Sequence, residues 1–170
     1  MPESEFHDDY QFLTKSQRLT HEEILKIAGV ATSLGVSKLR LTGGEPLLDK
    51  KLPALVAGLA RLDGVDDLAL TTNGMLLAPV AQTLVDAGLQ RVTISLDSLD
   101  EAVFRKMSGG RGDLATVLRA IDAAGEAGLA PIKINVVVER GVNDHTVLDL
   151  LEYFRGTGHI VRLIEYMDVG

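Results

Sequence analysis

Strand and helix signals alternate five times along the 170 residues with no hairpin signal between them, which predicts an α/β fold on a parallel sheet with right-handed crossovers. The ends of the strands add a second observation. Thr42 with Gly43 and Gly44, Thr71 with Asn73, Ser95 with Asp97, and Glu165 with Met167 all fall where β/α barrels gather their sites. Composition is the third: the chain is 46% hydrophobic but 4% aromatic and has no Trp, so its core is built from Ala, Val, Leu and Ile, a mixture suited to buried parallel strands under helices. An open doubly wound sheet fits the alternation too, but the polar strand ends favour a partial parallel β/α barrel. Five strands fall short of the roughly eight that close such a barrel, and both outer strands are then left with unpaired edges.

Residues 1–18 are polar and irregular and read as a strap ahead of one domain that takes in the whole chain. Thr20 stands three residues before Glu23, the capping-box spacing, and Ile24, Ile27, Ala28, Ala31 and Leu34 then form one helical stripe that Gly35 ends. Residues 38–42 alternate apolar and polar as a strand does, and the glycine pair Gly43-Gly44 follows. Asp49 to Leu62 reads as a helix with Leu52, Leu55, Val56 and Leu59 on one face, and Asp67 to Thr72 as a strand ending in the turn Asn73-Gly74. Pro79 falls in the first turn of a third helix, closed by Gly88, before a strand from Arg91 to Leu96. After a short segment, Asp100 to Met107, and a flexible Gly109 to Gly112, Asp113 caps a helix with Leu114, Val117, Leu118, Ile121 and Ala124 inward, ended by Gly128. Ile132 to Val138 is a β-branched strand. Asn143 is expected to cap a fifth helix with Val147, Leu150, Leu151 and Phe154 inward, and Val161 to Tyr166 is the last strand.

A net charge of −7 without a Lys/Arg cluster argues against a nucleic-acid partner. No apolar run approaches the length of a bilayer span and no apolar leader opens the chain, so a soluble cytoplasmic protein is expected. Without Cys there are no disulfides or thiolate ligands, and His7, His21, His145 and His159 lack metal-ligand spacing, so no metal site and no catalytic side chain is assigned within this chain. The stretch Leu39 to Pro46 carries the strongest site signal. Two adjacent glycines bare the backbone for a ligand, Glu45 adds a carboxylate suited to a cationic or amine-bearing group, and Pro46 ends the strand. A plain strand-to-helix turn with a solvated Glu is the competing reading.

Arg40-Leu41-Thr42-Gly43-Gly44-Glu45-Pro46-Leu47, Thr71-Thr72-Asn73-Gly74, Ser95-Leu96-Asp97-Ser98, Lys133 to Val137 and Arg162 to Gly170 together make the chain resemble the GTP 3′,8-cyclases, radical S-adenosylmethionine enzymes of molybdenum cofactor biosynthesis. The resemblance runs through all 170 residues in order. It implies an incomplete β/α barrel whose 4Fe-4S cluster, held by three cysteines, passes an electron to S-adenosylmethionine, so that a 5′-deoxyadenosyl radical takes a ribose hydrogen from GTP. It also implies cofactor contacts at Gly43, Gly44, Glu45, Ser95 and Met167, and GTP contacts at Arg40, Thr71 and Lys133. In relatives the cysteine motif precedes a Met-Pro-Glu such as Met1-Pro2-Glu3, and a second cluster follows the Met-Asp-Val-Gly block, so the chain is expected to be the cysteine-free middle of a longer protein and inactive alone. A homo-oligomer and a downstream molybdopterin-precursor enzyme are the expected protein partners.

Each residue has a plainer role open to it. Arg40 could pair with a neighbouring carboxylate, Ser95 and Thr71 could fill the barrel interior, Met167 could be core, and Lys133 could run its stem out to solvent. For the whole, a radical enzyme acting on a peptide or another substrate, or a degenerate binding module that has lost its cluster, are the alternatives.

Overall fold

The computed structural model describes residues 17–167, and the expectation of an irregular strap over residues 1–18 lies almost wholly outside them. Five strands, β1 (Lys38–Leu41), β2 (Asp67–Thr72), β3 (Arg91–Ser95), β4 (Lys133–Val138) and β5 (Ile160–Glu165), form one sheet in the order β1-β2-β3-β4-β5, every pair parallel. This order separates the two architectures that alternation left open. A doubly wound sheet reverses its strand order and puts helices on both faces, whereas here each strand is added to the same edge, so right-handed crossovers keep every helix on one side. The sheet is five strands of a singly wound, partial β/α barrel.

The helices are α1 (His21–Ser33), α2 (Leu52–Ala60), α3 (Ala81–Asp86), α4 (Glu101–Met107), α5 (Leu114–Glu126) and α6 (Val147–Tyr153). The core lies between them and one face of the sheet. Leu68, Leu70, Val92, Ile94, Ile134 and Val136 point into it from the strands, and Leu55, Val56, Leu59, Leu84, Val117, Ile121 and Leu150 meet them from the helices. The expected capping box forms at α1: the Glu23 N–H donates to Thr20 Oγ1 at 3.2 Å and the Thr20 N–H to Glu23 Oε2 at 2.7 Å. Its stripe is less covered than the periodicity predicts, with Ala28 buried but Ile27 and Leu34 exposed, because β1 is an outer strand and α1 has α2 on one side alone.

Three further expectations are corrected. The helix expected over Asp49 to Leu62 is shorter: α2 runs from Leu52 to Ala60, with Pro53 in its first turn, where a missing donor costs nothing, and a separate 3-10 turn at Pro46–Leu48 precedes it. Leu151 is exposed rather than inward, because α6 lies beside β5, the other outer strand. Asn143 makes no cap. Its fully buried side chain accepts from the Glu139 N–H (2.8 Å) and donates to the carbonyls of Asp97 (2.8 Å) and Val137 (2.7 Å), and α6 starts later, at Val147.

Candidate functional site

The sheet face away from the helices is where the polar strand residues collect. Side chains alternate along a strand, so the residues paired in register with each other share a face. Arg40, Ala69 and Arg91 form one row across β1, β2 and β3; Thr71, Thr93 and Lys133 form the next; Ser95, Asn135 and Arg162 a third. Five cations, Lys38, Arg40, Arg91, Lys133 and Arg162, thus face one side of a chain whose net charge is −7. Asp67 is the one strand carboxylate on this face among the described residues, and it is occupied by Arg91, whose Nε donates to Asp67 Oδ1 at 2.6 Å while Nη2 meets Oδ2. Among the described residues no carboxylate pairs with Arg40, Lys133 or Arg162, so the ion pair open to Arg40 from sequence does not form. Burial pushes the Lys133 amine below its ordinary pKa, the nearby charges of Arg91, Arg162 and Arg40 push it further, and Asp67 pulls the other way. Like charges held this close favour an anion between them.

At the C-terminal end of β1, Gly43 has φ +144°, a conformation that side-chain-bearing residues rarely adopt, and a Cβ built on Gly43 or Gly44 would meet no atom within 4 Å. Both glycines are exposed, and among the described residues nothing crowds them, which suits a ligand against bare backbone. Glu45 has a second task beside any ligand: its Oε1 accepts from the Leu47 N–H (3.0 Å) and the Thr72 hydroxyl (2.8 Å), and its Oε2 from the Asn73 N–H (2.8 Å). The carboxylate therefore clips the glycine turn to the end of β2, with roughly one of its four or so acceptor directions free. The β2 turn is itself fixed by Gly74, at φ +81° and packed so close that a Cβ would lie 3.1 Å from Ile94.

Ser95 ends β3 and is half-buried beside Asn135, whose Oδ1 is buried without a hydrogen-bond partner. An unpartnered buried acceptor costs free energy unless something satisfies it, and this one stands between Ser95 and Arg162 on the polar face. Met167 follows β5 and is 73% exposed, so the core role open to it from sequence is not the one it takes. Gly43, Gly44, Ser95 and Met167 lie at the C-terminal ends of β1, β3 and β5, while Arg40, Thr71 and Lys133 stand within the strands of the same face. Sequence reading missed Arg91, Asp67, Asn135 and Arg162. The period-two alternation already marks them as polar strand positions, but their rows need the interstrand register, which no single strand contains.

A parallel sheet with helices on one face, cations on the other and a glycine turn at its C-terminal rim defines a class, the partial β/α barrels that bind ligands across the strand ends. The chain belongs to the Radical SAM superfamily, whose family model matches residues 5–154. Named relatives include "GTP 3',8-cyclase" of Xanthomonas axonopodis pv. citri (strain 306), 54% identical over 170 residues, with all of this chain covering 51% of it. Proteins of the same name from Acidothermus cellulolyticus and Staphylococcus aureus (strain JH9) are 55% and 45% identical, and the chain covers 47% and 50% of them. The chain spans about half the length of the curated relatives it matches. Among solved structures, anSMEcpe with bound AdoMet and a Kp18Cys peptide superposes with a TM-score of 0.74 at 18% identity, covering 94% of this chain and 46% of that one. Methylornithine synthase (PylB) gives 0.71 at 20% identity over 88% and 45%. These likenesses establish the incomplete barrel.

The chain has no cysteine, so its own residues do not fit a 4Fe-4S cluster. They do fit an S-adenosyl ligand: bare glycine backbone for a methionyl amino group, Ser95 beside an unpartnered Asn135 acceptor, and an exposed thioether at Met167. Among the described residues no group of His, Asp and Glu could hold a metal ion, and no helix is long and apolar enough to cross a membrane.

Proposed function

We propose that this chain is the central part of a radical S-adenosylmethionine cyclase that converts GTP to (8S)-3′,8-cyclo-7,8-dihydroguanosine 5′-triphosphate in molybdopterin biosynthesis. The reading is carried by the cations on the open face of an acidic chain, of which Arg40, Lys133 and Arg162 pair with no carboxylate among the described residues, the feature a triphosphate requires. The shared name of relatives 45–55% identical points to the same nucleotide. Arg40 and Lys133 hold the triphosphate and Thr71 donates to it from the adjoining strand. Gly43, Gly44 and Glu45 receive the methionyl amino group of the cofactor, Ser95 its carboxylate or ribose, and Met167 lies along the adenosyl group. When bound, S-adenosylmethionine supplies the one-electron chemistry by which a ribose hydrogen is removed. The chain's own contribution is positional: it fixes the triphosphate across the cationic face of the sheet and the sulfonium at its rim. Because the cluster ligands come from elsewhere, the 170 residues alone are inactive. In the cell the whole protein acts in the cytoplasm and passes its product to the next enzyme of the pathway.

Titration of the full-length protein with GTP tests this. Arg40→Ala and Lys133→Ala are each expected to weaken GTP binding by about tenfold or more, the loss of one charge-assisted contact. Unchanged GTP affinity in both variants, or a wild-type protein that ignores the nucleotide and modifies a peptide, overturns it.

A further inference from the structure

One carboxylate stands on the cationic face, and its placement bears on how an anion sits there. Asp67 opens β2, next to Lys38 in register, and its side chain is 16% exposed. Both of its oxygens are taken by Arg91, the first residue of β3, through Nε and Nη2. A guanidinium whose Nε–Nη2 edge is held by a carboxylate is neutralised and keeps only its outer edge for a phosphate. Arg40, Lys133 and Arg162 have no such partner among the described residues. The face is thus divided. Across the starts of β2 and β3 it carries a neutralised pair, and around that pair it carries cations with no carboxylate among the described residues.

Taking this face as the polyphosphate site, we propose that Asp67 is a specificity-determining residue: by holding Arg91 it withholds one guanidinium from the bound anion and keeps the phosphate chain off the floor of the sheet. Without it Arg91 would join the free cations near Lys133, and a polyphosphate would sink toward Arg91 and away from the rim. The ligand class selected is an anion long enough to span Arg40, Lys133 and Arg162 without a floor contact.

The test is binding of inorganic tripolyphosphate to the full-length protein, with GTP titrated in parallel. Asp67→Asn is expected to bind tripolyphosphate about tenfold more tightly, since a freed guanidinium adds a charge-assisted contact. Asp67→Asn combined with Arg91→Gln keeps a neutral hydrogen-bonded pair and is expected within about twofold of wild type; it serves as the test by itself if the single variant does not fold. A single variant that binds no tighter, or a double variant several-fold weaker than wild type, overturns the proposal while wild-type GTP binding leaves the nucleotide reading intact. A wild-type protein that binds neither anion while Asp67→Asn binds tripolyphosphate supports the withholding and sinks the GTP reading. If neither protein binds either anion, both fall.

Discussion

Glu45 shows how one side chain serves the fold and the site together. Its carboxylate takes three hydrogen bonds from the Leu47 and Asn73 amides and the Thr72 hydroxyl, so the glycine turn has no freedom to drift from the end of β2. Glu45→Ala is expected to lower stability by about 3 kcal/mol, the order of a few bonds to a charged group, as measured by urea unfolding. A loss below about 0.5 kcal/mol, the range of ordinary surface changes, would show that the clip is not made. Lys133 gives a pH prediction. Its folded pKa lies below the ordinary lysine value, so the charged amine opposes folding, and the stability it contributes is present above the ordinary value and lost as pH falls through the folded one. The same depression means that anion affinity declines on the alkaline side earlier than an ordinary lysine would allow. Lys133→Arg retains the charge and is expected to move that decline to higher pH; titrations of GTP between neutral and alkaline pH would show it. The alternation within β1 and β4 made Arg40 and Lys133 legible in the sequence. Glu45 was legible as a site residue but not as a clip, because its partners Thr72 and Asn73 are nearly thirty positions away and nothing local points to them.

Between elements, the ends of β3 and β4 are joined by a polar clasp that no periodicity announces. Asn143 bridges the carbonyls of Asp97 and Val137 and the Glu139 amide, Asp97 Oδ1 accepts from the Val137 N–H at 2.8 Å, and the Ser98 hydroxyl donates to Thr146 at 2.9 Å. Asn143→Ala removes the partner of three half-buried backbone groups and is expected to cost about 3 kcal/mol, with faster amide exchange at Val137 and Glu139; normal protection there would contradict the clasp. Burial raises the Asp97 pKa, partly offset by the Val137 amide. Because the folded value lies above the unfolded one, the stability it contributes is complete below the ordinary carboxylate range and lost as pH rises through the folded value. Asp97→Asn is expected to remove that decline from the stability-pH curve, and an unchanged slope would count against it. The sequence made the order and type of the elements plain, since apolar spacing and caps are local. It misread Asn143 because Asn before a helix usually caps it, and here the long-range bonds to β3 and β4 won.

At the scale of the molecule, the strand order β1 to β5 leaves both outer strands with one neighbour each in the described sheet. Apolar side chains lie exposed on the outer elements: Ile27 and Val30 on α1 with Leu34 just after it, and Leu148 and Tyr153 on α6 with Leu163 on β5. The 170 residues alone are expected to self-associate as concentration rises, and Leu148→Lys with Leu163→Lys to reduce it, as sedimentation would show; an unchanged association would place the contact elsewhere. Anaerobic reconstitution with iron and sulfide is expected to leave this chain without iron-sulfur absorption, since it has no thiolate to offer. The barrel class was legible from alternation and strand ends, while the shared cationic face needed the register of five strands at once. The most direct test of that face is a structure of the full-length protein with GTP and S-adenosylmethionine. The triphosphate is expected against Arg40 and Lys133, clear of the Asp67–Arg91 pair, and the methionyl amino group at Gly43-Gly44. Ligands lodged in separate cavities, or a triphosphate that leaves Arg40 and Lys133 untouched, would contradict it.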